Sequence, residues 1–474
     1  MRPEPTRPEP MQVEPRPGGQ TPRPRLDAGL RRFARLVLRL VFREVDLIDP
    51  GHMPASGPVL LIANHSNSII DGAVLLAHLP RIPRFLAAST VWDYKPVAPF
   101  MDMSGSVKVF RRQDGRAHEG SLEDSFAEAA RLLADGGVLA VFPEGRTHDG
   151  LELLPFRTGT ARIAAFAEER HGPLDLAIVP LGVDYETKTR LRGRVAFSFG
   201  PPVRLAGPDG DKHLRAATGR LQAALAAVAP GFDSEEERHV LTLGGEILAV
   251  SGDVPGPGRG RAGAPGYGAI VAARRGLQAA LAADGDGPAR EELRASLTAY
   301  ARALDQAGLT DSDVISPPGR ARLAADTALL LPGLPVLLVA LVFNGPQMWL
   351  LRRIARARPR DRQMTWMAFG GLVLLPATWG LWALALGVAS GAGWGAGWGW
   401  SGGGLAAAAA LLAAPLSVWL ALPVSGRARR LAAGLAAWRR LGRDAALGRR
   451  LLTRRTRACE ALAAVMDCPA EISA

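Results

Sequence analysis

The chain has 474 residues, two cysteines and a formal charge of +12 carried mostly by arginine. Cys459 and Cys468, both near the C-terminus, cannot build a disulfide framework or a zinc site, and they imply a reducing compartment. The positive charge suits nucleic acid, an anionic membrane or phosphorylated substrates. Nine of the ten tryptophans lie from Trp349 onward in mostly apolar surroundings, not among the basic clusters as base-stacking platforms would, which favours the membrane over nucleic acid.

The Pro-rich, polar stretch 1–27 cannot bury a core and reads as a disordered, solvated tail, not a secretory signal. Leu30 to Val45 places Phe33, Leu36, Val37, Leu40 and Val41 on one helical face with arginines elsewhere. Such a helix lies either at a membrane interface or against its own domain. From 45 to 205, strand-like runs (PVLLIAN, GVLAVFP, LAIVPLGV, RVAFSFG) alternate with helical stretches such as LEDSFAEAARLLADG. This alternation predicts a layered α/β domain over 28–206 with a mostly parallel sheet, its continuous apolar runs covered on both faces.

Residues 207–325 read as an accessory helical segment interrupted by a Gly/Pro linker at 252–268. A membrane region is expected over 326–426. Gln363 to Gly426 holds no charged residue, and GAGWGAGWGWSGGG divides it into two apolar segments, 364–390 and 405–424. Each is long enough to cross a bilayer, which needs roughly 20 apolar residues. Trp394, Trp398 and Trp400 fall at the turn, where an aromatic belt belongs. A further run, 328–343, contains Pro332, Gly333 and Pro335 and precedes Asn344-Gly345-Pro346. If it crossed fully, the catalytic domain would face the side opposite the basic loop Arg352 to Arg362 and the basic tail, which the positive-inside rule keeps cytoplasmic. The expectation is therefore a re-entrant 328–343, with the catalytic domain, the loop and the tail 427–474 all cytoplasmic at the plasma membrane. The eleven arginines between Arg427 and Arg457 read as a helix on anionic headgroups.

Four blocks carry candidate chemistry. In Asn64-His65-Ser66-Asn67-Ser68-Ile69-Ile70-Asp71, an imidazole and a carboxylate sit together at an expected strand-to-helix turn. An Asp that accepts a hydrogen bond from one ring nitrogen leaves the other to take a proton from a hydroxyl. No nucleophilic Ser or Cys chemistry is required, so the substrate's own hydroxyl would be activated. GSVKVFRRQDG supplies Arg111 and Arg112, able to clamp a phosphate, although paired arginines are more often a solvated face. Val141 to Thr147 puts Glu144 at a Pro-Gly turn, where it could accept from a polyol while Gly145 lets a ligand reach the backbone. IVPLGVDY, Ile178 to Tyr185, reads by itself as a core strand.

Together and in this order, the four blocks resemble the glycerolipid acyltransferase family, which includes glycerol-3-phosphate and 1-acylglycerol-3-phosphate acyltransferases. The family's usual His–Asp spacing has four intervening residues, and NHSNSIID has five. That spacing is similar to a subgroup of glycerol-3-phosphate/dihydroxyacetone-phosphate acyltransferases, as are VFRRQDG and FPEGRTHDGLELLPFRTGTARIA. The resemblance implies His65 as general base and Asp71 as its orienting acid. It implies Arg111, with Arg112 beside it, as phosphate-binding, and Glu144 and Gly145 as acceptor-binding. Arg146-Thr147 departs from the commoner Thr-Arg-Ser order, and Arg157 is a further basic candidate. Pro180 takes a structural role at the acyl site.

The implied reaction moves an acyl group from acyl-CoA or an acyl-carrier protein to the sn-1 hydroxyl of glycerol 3-phosphate, with no metal or bound cofactor. Lysophosphatidate acylated at sn-2 is the alternative acceptor. A metal-dependent hydrolase using His65, Asp71 and Glu144, or a non-catalytic membrane scaffold, are the readings from other classes.

Overall fold

The structure, a computed structural model, describes residues 24–95, 97–111, 115, 120–205, 210–251, 265–283, 287–392 and 401–466. A seven-stranded sheet organises the N-terminal half. Its strands are β1 (Phe42–Ile48), β2 (Val59–Ala63), β3 (Arg84–Ala88), β4 (Val107–Val109), β5 (Val138–Val141), β6 (Ala177–Tyr185) and β7 (Gly193–Phe199). Their spatial order is β1-β7-β6-β2-β5-β3-β4. Every neighbouring pair is parallel except β6 with β7. The fold is thus a mostly parallel mixed sheet covered by helices on both faces, as the alternation of runs predicts.

The central strand β2 shows why the apolar run is unbroken. Side chains alternate across a strand, and Val59, Leu61 and Ala63 enter one core while Leu60 and Ile62 enter the other. The first core is closed by helices α1 (Pro24–Val41) and α2 (Ile69–His78), and α3 (Ala98–Ser104) packs beside them. The second is closed by α4 (Leu122–Ala134), α5 (Gly159–His171) and α6 (Gly210–Val228). A reciprocal capping box between Ser121 and Asp124 starts α4.

Helix α1 differs from the expected 30–45. It begins at Pro24 and stops at Val41, where the chain turns into β1. Leu30, Leu38 and Val41 are buried, while Phe33 and Leu36 stay exposed. The helix is docked by its charges as well as its apolar side. Arg31 donates to the carbonyls of Leu76 and Leu79, and Arg35 to that of Ala77, at the C-terminal end of α2. Cations at that end also complement the helix dipole. Arg84 holds Asp27 through two hydrogen bonds of 2.9 and 2.8 Å.

A second body is helical: α7 (Glu235–Ser251), α8 (Tyr267–Ala283), α9 (Pro288–Ala307), α10 (Asp311–Ile315) and α15 (Ala445–Met466). Leu451, Ala458, Cys459 and Leu462 of α15 share a core with α7, α8 and α9. Arg455 of α15 pairs with buried Asp311 at 3.0 Å, and Tyr300 donates to the same oxygen at 2.6 Å. The basic tail is therefore part of the helical body and joins the segment that precedes the membrane region. Its exposed arginines remain on the outside of α15.

Helices α11 (Arg320–Leu330), α12 (Leu334–Arg356), α13 (Arg360–Ala392) and α14 (Ser401–Arg443) form the apolar region. Among the described residues, three helical stretches, Arg320–Arg356, Arg360–Ser390 and Gly403–Arg443, are long and apolar enough to cross a membrane. The run expected to be re-entrant does not turn back at Asn344-Gly345-Pro346, because α12 continues through Pro346 to Arg356. Asn344 is used inside the helical cluster. It accepts from Trp379 Nε1 of α13 at 2.8 Å and donates to Ser417 Oγ of α14 at 3.2 Å. Polar contacts of this kind join helices in an apolar surround. Trp394, Trp398 and Trp400, the stretch 1–23 and most of the Gly/Pro linker lie outside the described residues.

Candidate active site

His65 stands just beyond the C-terminal end of β2, where parallel α/β sheets place their ligand sites. Asn64 ties this end to β6: its Nδ2 donates to the Val183 carbonyl at 3.0 Å, and the Val183 N–H donates to its Oδ1 at 2.7 Å. The link to α2 passes through Ser68, whose φ of 49° is a conformation that L side chains rarely adopt. Such a position costs of order 1–3 kcal/mol and persists only when its surroundings impose it. Asp71 then falls in the first turn of α2, directed back at the histidine.

Asp71 is fully buried and accepts four hydrogen bonds. Its Oδ2 accepts from His65 Nδ1 at 2.9 Å and from the backbone N–H groups of Ser66 and Asn67 at 3.0 and 2.8 Å. Its Oδ1 accepts from the Tyr185 hydroxyl at 2.6 Å. Burial first, and then the adjacent Asp71 carboxylate, push the Tyr185 phenol well above its usual range, so it stays a donor. The His65 ring stacks on Phe142 with centroids 4.0 Å apart. With Nδ1 on Asp71 and one ring face on Phe142, Nε2 is the atom left for a substrate.

Glu144 takes a different place from the one expected. It is 3% exposed and does not line the cavity in front of His65. One carboxylate oxygen accepts from the His65 backbone N–H at 2.9 Å. The other accepts from Leu154 N–H at 2.9 Å and from His148 Nε2 at 2.5 Å. Glu144 thus fixes the backbone of the histidine from behind. Gly145 has φ of 71°, and a Cβ there would meet the Arg157 side chain at 3.1 Å. Its carbonyl accepts from Arg111 Nη1 at 3.3 Å.

Arg111, Gly145, Arg146, Thr147 and Arg157 line one cavity together with His65. Arg112 lies outside the described residues. Pro180 sits in the sheet, beside Ile62 of β2, and its carbonyl accepts from Gly200 N–H; it does not reach the cavity wall. Among the described residues, no three His, Cys, Asp or Glu side chains are gathered as metal ligands.

The cleft has a volume of about 2170 Å³. It is lined by arginines and by apolar residues of α1, α3 and α13. Sequence reasoning missed Tyr185 and His148 as site residues. Both lie within quoted blocks, but Tyr185 is 114 residues from Asp71 in sequence, and only the sheet order brings them together.

Residues 44–184 match the family model described as Acyltransferase. The lyso-ornithine lipid O-acyltransferase of Brucella abortus is 29% identical over 171 residues, 36% of this chain and 59% of that protein. Glycerol-3-phosphate O-acyltransferase 1 of Saccharomyces cerevisiae is 34% identical over 73 residues, 15% of this chain and 10% of that one. The crystal structure of the 1-acyl-sn-glycerophosphate acyltransferase from Thermotoga maritima aligns with a TM-score of 0.33 at 18% identity, covering 44% of this chain and 81% of that chain. The chain therefore spans 59% or less of these two relatives' own lengths. The family match covers all four blocks except the final Tyr185, and it places His65, Asp71, Arg111 and Glu144 inside one unit: residues 44–184 are a domain of the acyltransferase family.

Proposed function

We propose that this chain is a membrane-bound O-acyltransferase that moves a fatty acyl group from an acyl thioester to a hydroxyl of a phosphorylated glycerol acceptor. The observation that carries this reading is the His65–Asp71 pair at 2.9 Å, opening onto a cleft lined by arginines and by apolar residues. His65 Nε2 takes the proton of the acceptor hydroxyl as its oxygen attacks the thioester carbonyl. The carbon–sulfur bond then breaks, and the departing thiolate receives the proton from the imidazolium. Asp71 holds the tautomer and balances the positive charge that develops on the ring. Arg111, Arg146 and Arg157 supply cations for the acceptor phosphate and convert a collision into a positioned attack.

Glycerol 3-phosphate acylated at sn-1 is the acceptor favoured by the five-residue His–Asp spacing. Lysophosphatidate is the second reading, supported by a cavity that continues along the apolar helix α13. The catalytic domain and the basic turn between α12 and α13 belong on one side of the membrane. Supporting this, Arg360 lies 3.5 Å from Asp149 of the catalytic loop, and the positive-inside rule makes that side cytoplasmic. Purified protein offered an acyl thioester with glycerol 3-phosphate, dihydroxyacetone phosphate or lysophosphatidate tests the reading by thiol release and by the acylated product. Thiol release that depends on glycerol 3-phosphate is expected. Release that needs no acceptor, or none with any of them, contradicts it.

A further inference from the structure

The membrane helices do not stand apart from the catalytic domain. Ala355 of α12 and Met364 and Met367 of α13 are buried in the same core as α1 and α2. An aromatic file crosses the junction: Phe33 of α1 stacks on Phe100 of α3, and Phe100 meets Phe369 of α13 edge-on, each pair with centroids 5.8 Å apart. At the turn before α13, Arg358 lies over the Trp366 ring at 4.4 Å, and Arg358 and Arg362 border the cavity that contains His65.

From that rim the cavity runs along α13 past Phe369 and Val373 to Ala377. At 1.5 Å per residue, Trp366 to Ala377 is about 16 Å of helix. The cavity's volume of about 2170 Å³ is larger than the roughly 300–1,000 Å³ that holds an ordinary small ligand. It is large enough for a lipid, and its lining combines cations and a proton acceptor with apolar residues along α13. Val373 lies inside one of the stretches long and apolar enough to cross a membrane.

We propose that α13 is part of the active site. The acyl chain of the thioester donor lies in the cleft between α1 and α13, and Leu372, Val373 and Ala377 meet its distal end, so that this membrane helix selects chain length. The charged rim, Arg358 and Arg362 with Arg111 and Arg157, stays with the phosphates. This inference rests on the acyl-transfer reading, and it adds a specificity-determining wall supplied by the membrane region.

The test is a rate comparison with C8 and C16 acyl thioesters on the full-length protein in lipid vesicles. Val373→Trp shortens the cleft and is expected to lower the C16-to-C8 rate ratio at least tenfold. Leu372→Ala lengthens or widens it and should raise the ratio. Leu384→Trp, farther along α13 and outside the cavity lining, controls for a bulky side chain in the helix and should keep the wild-type ratio. If Val373→Trp fails to insert, Leu372→Ala decides. Ratios unchanged within twofold in the variant tested, or moved equally by Leu384→Trp, overturn the wall. No turnover of either thioester by the wild type sinks the acyl-transfer reading instead.

Discussion

Tyr185 donates a 2.6 Å hydrogen bond to Oδ1 of Asp71, the carboxylate oxygen that His65 does not use. The acid of the pair is thereby held from both sides, by His65, Ser66 and Asn67 of the turn before α2 on one oxygen and by the end of β6 on the other. Tyr185→Phe removes that donor and leaves the buried carboxylate with one oxygen unsatisfied. The expected result is a fall in kcat with little change in KM for the acceptor. A stability loss alone, of about 1–3 kcal/mol, with an unchanged kcat would mean that the tyrosine only packs.

Glu144 anchors three donors, two of them backbone groups on either side of the site. Glu144→Ala strands the N–H groups of His65 and Leu154 and the ring of His148 in a buried place. A destabilisation of about 3 kcal/mol is expected, since each stranded buried donor costs about 1–3 kcal/mol. It would be measured by denaturant unfolding of the catalytic domain fluorescence. Activity should fall through kcat, because the histidine backbone loses its support, and KM for the acceptor phosphate should move less than it does in Arg157→Ala.

The tail contributes to folding through Arg455. Arg455→Ala leaves Asp311 buried and charged beside Tyr300, and breaking such a pair costs about 3–5 kcal/mol. Hydrogen exchange should show α15 and α9 loosened while the sheet keeps its protection. Uniform protection across both bodies would contradict the docking of α15.

Asp46 gives the contact between β1 and α8 a pH dependence. Burial first raises its carboxyl from the usual range to about 6, and the neighbouring Glu44 adds to this against the opposing Gly268 N–H. A carboxyl raised on folding binds its proton more tightly in the folded state, so stability is greatest below the unfolded value near 4. It declines as pH rises through about 6. Thermal melts between pH 4.5 and 7 should show this slope in the wild type, and Asp46→Asn should flatten it.

Much of the sheet was legible because β2, β5, β6 and β7 are central or long strands written as apolar runs. The strands β1 and β4 lie at the edges, and β1, FREVDLI, has no unbroken apolar run to mark it off from the helical pattern before it. The His65–Asp71 pair was legible because both residues lie within one turn-and-helix unit. Tyr185 was not, because strand order is set by long-range pairing that local pattern does not encode. Glu144 reads as acceptor-binding from its Pro-Gly turn and from the resemblance, and in the structure its buried carboxylate accepts three hydrogen bonds from the protein, which local pattern does not encode. The persistence of α12 through Asn344-Gly345-Pro346 had no local signal, since it depends on the Trp379 and Ser417 partners from other helices.

The most direct test of the account is the transfer of a labelled acyl group from its thioester to glycerol 3-phosphate or lysophosphatidate by purified wild-type protein and by His65→Ala. General-base catalysis contributes roughly 10²- to 10⁴-fold, and the variant should lose at least that much while its membrane association and melting temperature stay near wild type. A His65→Ala protein that still transfers acyl groups at near wild-type rates would show that the pair with Asp71 is not the catalytic base.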